Sequence, residues 1–237
     1  MDNMNIIVTG ASRGIGYATV KKLAEKDSHS IIAISRNGEA LEKLKEECAQ
    51  INSKARIIPF PFDLVQGVII DELEPLVREY LGSVDRLVNN AGRMINKPFE
   101  NFTEEEFNEI FDVNVKSIFN LIQSVLPLFN ENGHIVNISS MGGYQGSAKF
   151  PGLSLYSASK GALTIMSEAL AEELKDRKIS SNSLALGAVQ TEMLGEAFPG
   201  VKAPLKPEEM AEFVADFTLT GHKYFNGKTL PVSSTTP

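Results

Sequence analysis

The sequence predicts an α/β protein of one domain, a doubly wound parallel sheet with helices on both faces, from three observations. Short apolar runs at Ile6 to Thr9, Ser30 to Ser35, Arg56 to Phe60, Arg86 to Asn89, His134 to Ser139 and Ser181 to Leu186 look like strands buried on both faces. Between them, amphipathic segments at 15–26, 39–51, 67–81, 104–129 and 157–177 have helical length, and such alternation calls for right-handed crossovers between parallel strands. The first run also passes directly into Thr9-Gly10-Ala11-Ser12-Arg13-Gly14-Ile15-Gly16, a strand, a glycine-rich turn and a helix start.

Each element has local reasons. Thr103 and Glu106 form a capping box, Glu104 and Glu105 complement the helix dipole, and the helix that begins there is expected to run through Asn114. Pro75 falls inside the segment 67–81 and should kink or shorten it. Gly133 marks a turn into the next strand, and the glycine-rich stretch from Gly142 to Gly152 reads as a flexible flap.

Composition narrows the function. The 237 residues suit a single α/β sheet, and 43% hydrophobic with 22% charged residues describes a globular chain with a sizeable core. A net charge of −7, from 23 basic and 30 acidic residues with no dense basic run, argues against nucleic acid as a partner. The single Cys48 cannot close an internal disulfide, which suits a reducing compartment, and it reads as an incidental helix residue. With no basic leader followed by an apolar stretch and no long apolar run, neither a signal peptide nor a membrane span is expected, and a cytoplasmic protein is. No metal site is expected. Asn101 and Asn137 fit the glycosylation pattern, which is frequent by chance.

The glycine turn points to a nucleotide. Backbone N–H groups at a helix N-terminus carry partial positive charge, and a pyrophosphate can approach them where Gly10, Gly14 and Gly16 carry no Cβ. By itself, G-x-x-x-G-x-G is a weak signal. Two further segments strengthen it: Asn89-Asn90-Ala91-Gly92 after a strand, and Tyr156-Ser157-Ala158-Ser159-Lys160 at a helix start, with Asn114 and Ser140 between them. In this order, over residues 5 to 191, the chain resembles the short-chain dehydrogenase/reductase family and its Rossmann fold.

The resemblance implies a catalytic set. Tyr156 would be general acid in reduction and general base in oxidation, Lys160 would also hold the nicotinamide ribose, Ser140 would bind the substrate carbonyl, and Asn114 would steady a water relay. Elementary chemistry agrees, because a hydride reaching a carbonyl carbon leaves negative charge on oxygen that a phenol and a hydroxyl can stabilise. Tyr156 and Lys160 at i and i+4 share a helix face, and a neighbouring ammonium should lower a phenol pKa that is ordinarily near 10. Ser139 is an alternative to Ser140. The stretch from Ser140 to Tyr156, with Phe150, Pro151 and Leu153, is longer than is usual in the family and is expected to form a wall of the substrate pocket.

For the cofactor, the family pattern implicates Gly10, Ser12, Arg13, Gly14, Ile15 and Gly16 in the turn, Asp63 and Leu64 at the adenine, and Asn90, Ala91 and Gly92 passing under the cofactor. Val189 and Thr191 would hold the carboxamide, and Tyr156 and Lys160 the ribose. An acidic residue some 20 positions after the turn would bind a ribose diol, but Ser35-Arg36 stands there. Arg36 and Arg13 would attract a 2′-phosphate, so NADP(H) is favoured and NAD(H) is possible. Two departures from the family pattern stand out: Gly187 replaces a common proline, and Ser233-Ser234 replaces Asp-Gly-Gly after the closing run Gly227 to Val232. The second puts the family's usual tetramer contact in doubt, while a homodimer through 104–129 and 157–177 remains expected.

The partner is read as a small carbonyl or alcohol substrate, with no membrane involved. Residues 192–206, with Met193, Leu194, Phe198 and Pro199, form a short candidate lid, and together with Met141 and Phe150 they suggest an apolar compound. A carrier-bound 3-oxoacyl thioester is disfavoured by the acidic Phe129 to Gly133 segment. Two rival readings fit parts of the sequence: a non-catalytic nucleotide-binding regulator, and an α/β-hydrolase using Gly10-x-Ser12-x-Gly14 as a nucleophile elbow with one of three histidines, His222 near Asp216 being the best placed in sequence.

Overall fold

A computed structural model describes residues 3–233, with the side chain of Ile70 excepted. Ser234 lies outside the described residues. Seven strands form one sheet in the order β3-β2-β1-β4-β5-β6-β7: β1 (Asn5–Thr9), β2 (Ser30–Ser35), β3 (Arg56–Pro61), β4 (Val84–Asn89), β5 (Phe129–Ser140), β6 (Ser180–Leu186) and β7 (Thr229–Val232). Every pairing is parallel. The order reverses direction between β1 and β4, which opens a crevice at the carboxyl ends of those strands, the place where such sheets bind ligands.

Eight α-helices cross over between the strands: α1 (Gly14–Lys26), α2 (Gly38–Ile51), α3 (Ile69–Tyr80), α4 (Glu104–Phe111), α5 (Ser117–Val125), α6 (Ser154–Glu173), α7 (Glu192–Ala197) and α8 (Pro207–Thr220). One face of the sheet buries Val8, Ile31, Val136 and Leu184 against α1, α2 and α8, and the other buries Ile7, Ile32, Leu87 and Ile135 against α3, α5 and α6. Cys48 is fully buried with the first group, so it is a core residue and not an incidental one. Among the described residues no helix is long and apolar enough to cross a membrane.

The 67–81 segment shortens, as expected, to α3 over Ile69–Tyr80, which keeps Pro75 inside it between the fully buried Leu73 and Val77. Several other expectations are corrected. The expected 104–129 helix is three pieces: α4, a π-helical turn over Asp112–Lys116, and α5. Leu126–Leu128, with Pro127 inside, forms a short 3₁₀ turn, and β5 starts at Phe129, before Gly133. The expected flap is an organised loop: Ser147 Oγ donates to the carbonyls of Met141 and Tyr144, and Lys97 N donates to Gly152 O at 2.9 Å. The reading of the sequence passed over α8, although Pro207 at its first turn with Glu208 and Glu209 is a strong start signal.

All three histidines lie at the amino-terminal edge of the sheet, opposite Ser12, which removes the hydrolase reading. His29 precedes β2 and its Nδ1 accepts from Met4 N at 3.1 Å. His134 starts the β5–β6 pairing, and its two ring nitrogens meet Thr218 O at 3.2 Å and Asn182 Nδ2 at 3.0 Å, which makes it a neutral Nδ1–H tautomer. His222, in the turn after α8, lies 3.3 Å from the buried guanidinium of Arg86 on β4.

Burial, with the Arg86 cation adding to it, pushes His134 down to about 3 and His222 down to about 4. Their ordinary value is 6.5, so between these limits the unfolded chain binds the protons and the folded chain does not. Stability from these rings is therefore full above about pH 6.5 and is lost as pH falls. Urea midpoints measured from pH 7.5 to 5 should decline, and His134→Gln, which keeps a donor and an acceptor, should flatten that decline. An equally steep curve for the variant would refute the assignment.

Candidate active site

The carboxyl ends of β1, β4, β5 and β6 carry the residues singled out in the sequence. After β1, Gly10 and Gly14 take positive φ of 66° and 57°. A Cβ at Gly10 would lie 2.8 Å from Asn90 Nδ2 and 2.9 Å from Ala91 Cα, and one at Gly16 would strike Gly10 O. These two glycines thus let the turn close against the Asn89–Gly92 segment. Thr9, absent from the expected site set, locks that closure: its hydroxyl accepts from the backbone N–H groups of Asn90 and Ala91, both at 3.0 Å. Asn90 Nδ2 donates to Thr9 O at 3.0 Å and Gly10 O at 3.3 Å.

Helix α1 begins at this turn with Arg13 as N-cap, no side-chain cap and no acidic residue in its first turn, unlike α4 with its complete capping box. Its first N–H groups are left for an anion. Ser12, Arg13 and Gly14 line a cavity of about 750 Å³ shared with Tyr17, Thr191 and Glu192. Ile15 packs on the core.

At the end of β2, Ser35 Oγ accepts from Asn37 N at 3.2 Å, and Arg36 is exposed with no ion pair among the described residues. Asp63 Oδ1 accepts from Val65 N at 2.9 Å, shaping the turn after β3, and Leu64 packs on the core.

The catalytic candidates converge beyond β5. Ser140 lies beside the Tyr156 phenol, where it favours the ionised form, and Ser140 Oγ accepts from Gly142 N at 3.1 Å. Ser139 is buried and donates to Lys160 O at 3.0 Å, so of the two serines Ser140 is the one beside the phenol. Lys160, only 4% exposed, donates from Nζ to Ile138 O at 2.8 Å and lies 5.9 Å from the Tyr156 ring centroid. A Cβ on Gly92 would lie 3.4 Å from both Lys160 Nζ and Asn114 Oδ1.

Asn114 sits in the π-helical turn, the kind of bulge that re-aims a side chain inward. Its Oδ1 accepts from Arg93 N at 2.7 Å, and its Nδ2 donates to Arg93 O and Ser159 Oγ, both at 2.9 Å. Ser159, a second residue the sequence reading missed, ties Asn114 to α6. The signal was visible in the repeated hydroxyls of Tyr156-Ser157-Ala158-Ser159.

The electrostatics differ from expectation. Burial raises the Tyr156 phenol, with the Ser140 contact pulling the other way, and burial lowers Lys160 to about 8. At 5.9 Å, with its ammonium spent on a carbonyl, Lys160 does not by itself make the phenol acidic.

Beyond β6, Gly187 N donates to Val232 O at 2.9 Å. Proline there would forfeit that bond, and a Cβ would strike Ser233 Oγ, which together favour the glycine. Val189 is buried and bridges to Leu205, and Thr191 caps α7 by accepting from Leu194 N at 3.2 Å. Phe150 and Pro151 line a second cavity of about 750 Å³ with Pro98, Phe99, Tyr144 and Ser157, whereas Met141 and Leu153 are buried. The acidic Glu131 lies at the far edge of the sheet and pairs with Lys178 at 2.9 Å, so it bears on no docking event at the site.

Comparison with known proteins gives the same picture. The sequence profile described as short chain dehydrogenase matches residues 4–202. An uncharacterized oxidoreductase of Staphylococcus aureus (strain N315) is 29% identical over 93% of this chain and 92% of its own. The solved 3-ketoacyl-(acyl-carrier-protein) reductase from Brucella melitensis complexed with NADH is 27% identical with a TM-score of 0.85, over 98% of this chain and 97% of that one. A short chain dehydrogenase from Burkholderia cenocepacia J2315 in complex with NADP is 26% identical with a TM-score of 0.86, over 98% and 96%. Since that profile spans most of its length, the chain belongs to the short-chain dehydrogenase family of oxidoreductases.

Proposed function

We propose that this oxidoreductase uses NADPH to reduce the carbonyl of a small apolar ketone or aldehyde to an alcohol, in the cytoplasm and as a homodimer. One observation carries the reading: the Tyr156 phenol, beside Ser140, lies one helical turn from a buried Lys160 at the mouth of the β1–β4 crevice.

A nicotinamide supplies the hydride when bound. The uncapped start of α1, the glycine turn and the Asn90–Gly92 segment fit its pyrophosphate. Tyr156 then gives its proton to the carbonyl oxygen as the carbon gains the hydride, and Ser140 donates to the same oxygen as charge develops. A phenol held protonated by burial suits the reducing direction at neutral pH. Lys160 supplies positive charge on that side, and Asn114, bound to both the Arg93 loop and Ser159, steadies the wall behind it.

Arg36, exposed and without an ion-pair partner among the described residues, is the reason to favour a 2′-phosphate. Arg36→Asp should weaken NADPH binding by about tenfold or more while leaving NADH nearly unchanged, since a charge-assisted bond is worth about 1.5–3 kcal/mol. Fluorescence titration with both cofactors decides it; equal losses would count against the assignment. Exposed Phe107, Phe119 and Ile165 on α4, α5 and α6 favour a dimer through those helices. Half-buried Met193 and Phe198 favour an apolar substrate.

The test of the reaction is NAD(P)H absorbance against ketones, aldehydes, diketones and acyl thioesters, with Tyr156→Phe as control. Turnover confined to thioesters would instead favour the 3-oxoacyl carrier-protein reductase reading, which the similarity to the Brucella enzyme supports. Cofactor binding with no turnover of any carbonyl would favour a regulator.

A further inference from the structure

Helix α7, the core of the candidate lid, buries none of its residues. Its position near the crevice therefore depends on polar ties, and two of them meet at its carboxyl end. Glu196 Oε1 accepts from Arg13 Nη1 at 2.7 Å, which fastens the helix to the glycine turn after β1. Ala197 O, the next residue, accepts from Asn96 Nδ2 at 2.9 Å, which fastens it to the segment after β4. Glu192, one turn earlier on α7, points its carboxylate at the same turn, where a Cβ on Gly14 would lie 3.6 Å from Glu192 Oε2.

Arg13 is thus claimed twice. On the NADPH reading it is one of two cations that would meet a 2′-phosphate, and it is the only one of the two that already holds a carboxylate among the described residues. Arg36 can meet a phosphate at once, whereas Arg13 must first leave Glu196.

We infer that Glu196 is a cofactor-discriminating residue: it competes with a 2′-phosphate for Arg13, so a 2′-phosphorylated cofactor releases the latch on α7 and an unphosphorylated one leaves it closed. This inference rests on the NADPH reading. A phosphate carrying about −1.5 to −2 charges outbids a single carboxylate for one guanidinium. The exchange is reciprocal, since the ion pair lowers affinity for the phosphate by the same factor by which the phosphate weakens the ion pair.

The pair is half exposed, with 51% and 57% of the side-chain surfaces open, so the effect is modest. Glu196→Gln should tighten binding of 2′,5′-ADP by about two- to fivefold, in line with exposed ion pairs, and leave 5′-AMP unchanged. Amide exchange across 192–197 gives an independent readout. In the wild-type enzyme, 2′,5′-ADP should accelerate it and 5′-AMP should not, and in Glu196→Gln it should already be fast. Equal affinities of wild type and variant for 2′,5′-ADP, or equal tightening of both nucleotides, overturn the inference. If wild type prefers 2′,5′-ADP and the variant changes nothing, the latch alone fails and the NADPH reading stands. If wild type shows no preference and Arg36→Asp has no effect, both fail.

Discussion

Tyr156→Phe should lower kcat for carbonyl reduction by about 10²–10⁴-fold, the usual contribution of a positioned proton donor. The substitution removes one oxygen from a half-buried side chain, so the fold is left intact and the loss reads chemistry alone. The remaining activity would come from hydride delivery with Ser140 as the sole donor to the carbonyl oxygen. Because burial holds the phenol above its ordinary range, reduction by the wild-type enzyme should be flat through neutral pH and fall only as the phenol ionises. Oxidation of the alcohol should rise over that same range. A variant with wild-type turnover, or a reduction rate that climbs with pH, would remove Tyr156 from the acid's role.

Lys160→Met should lower kcat/KM by about 10²–10³-fold, the scale of losing one charge-stabilising donor, and should at the same time raise the melting temperature at pH 7. The second effect follows from the fold. Lys160 is 4% exposed, its Nζ has Ile138 O as partner, and among the described residues no carboxylate pairs with it. A cation held that way destabilises the native state. Burial lowers its pKa from 10.5 to about 8, so between those values the unfolded chain binds the proton and the folded one does not. Native stability therefore rises with pH across that window, and the advantage of Met should shrink between pH 7 and pH 9.5. Melting curves at the two pH values, read beside cofactor titration, test both halves. A Met variant that melts well below wild type would show that Lys160 is a structural tie and not a destabilising functional charge.

Much of the site was legible because its chemistry is local. The glycine turn needs positive φ at Gly10 and Gly14 and close approach at Gly16, and those demands appear as residue types at fixed spacing. The capping box at Thr103 and Glu106 formed as read. Asn114 was legible as a residue and illegible as a geometry, because nothing in Asp112-Val113-Asn114-Val115-Lys116 announces a π-helical turn in place of a continuous helix. Helix α7 passed for a loop because it is short and has no buried face to impose periodicity. Thr9, Ser159, Asn96 and Glu196 went unnoticed for a common reason: each acts on a partner more than 40 residues away in sequence.

The sequence by itself determined the alternation of strands and helices, the glycine turn and the pairing of a phenol with an amine on one helix face. Each of these depends on backbone conformation and side-chain period within a single element. Tertiary structure decided that Ser140 and not Ser139 meets Tyr156, that Lys160 spends its ammonium on Ile138 and leaves the phenol unacidified, and that Arg13 is shared with Glu196. Those outcomes are set by how β5, α6 and α7 pack across the sheet, and no periodicity along the chain encodes the distance between side chains on different elements.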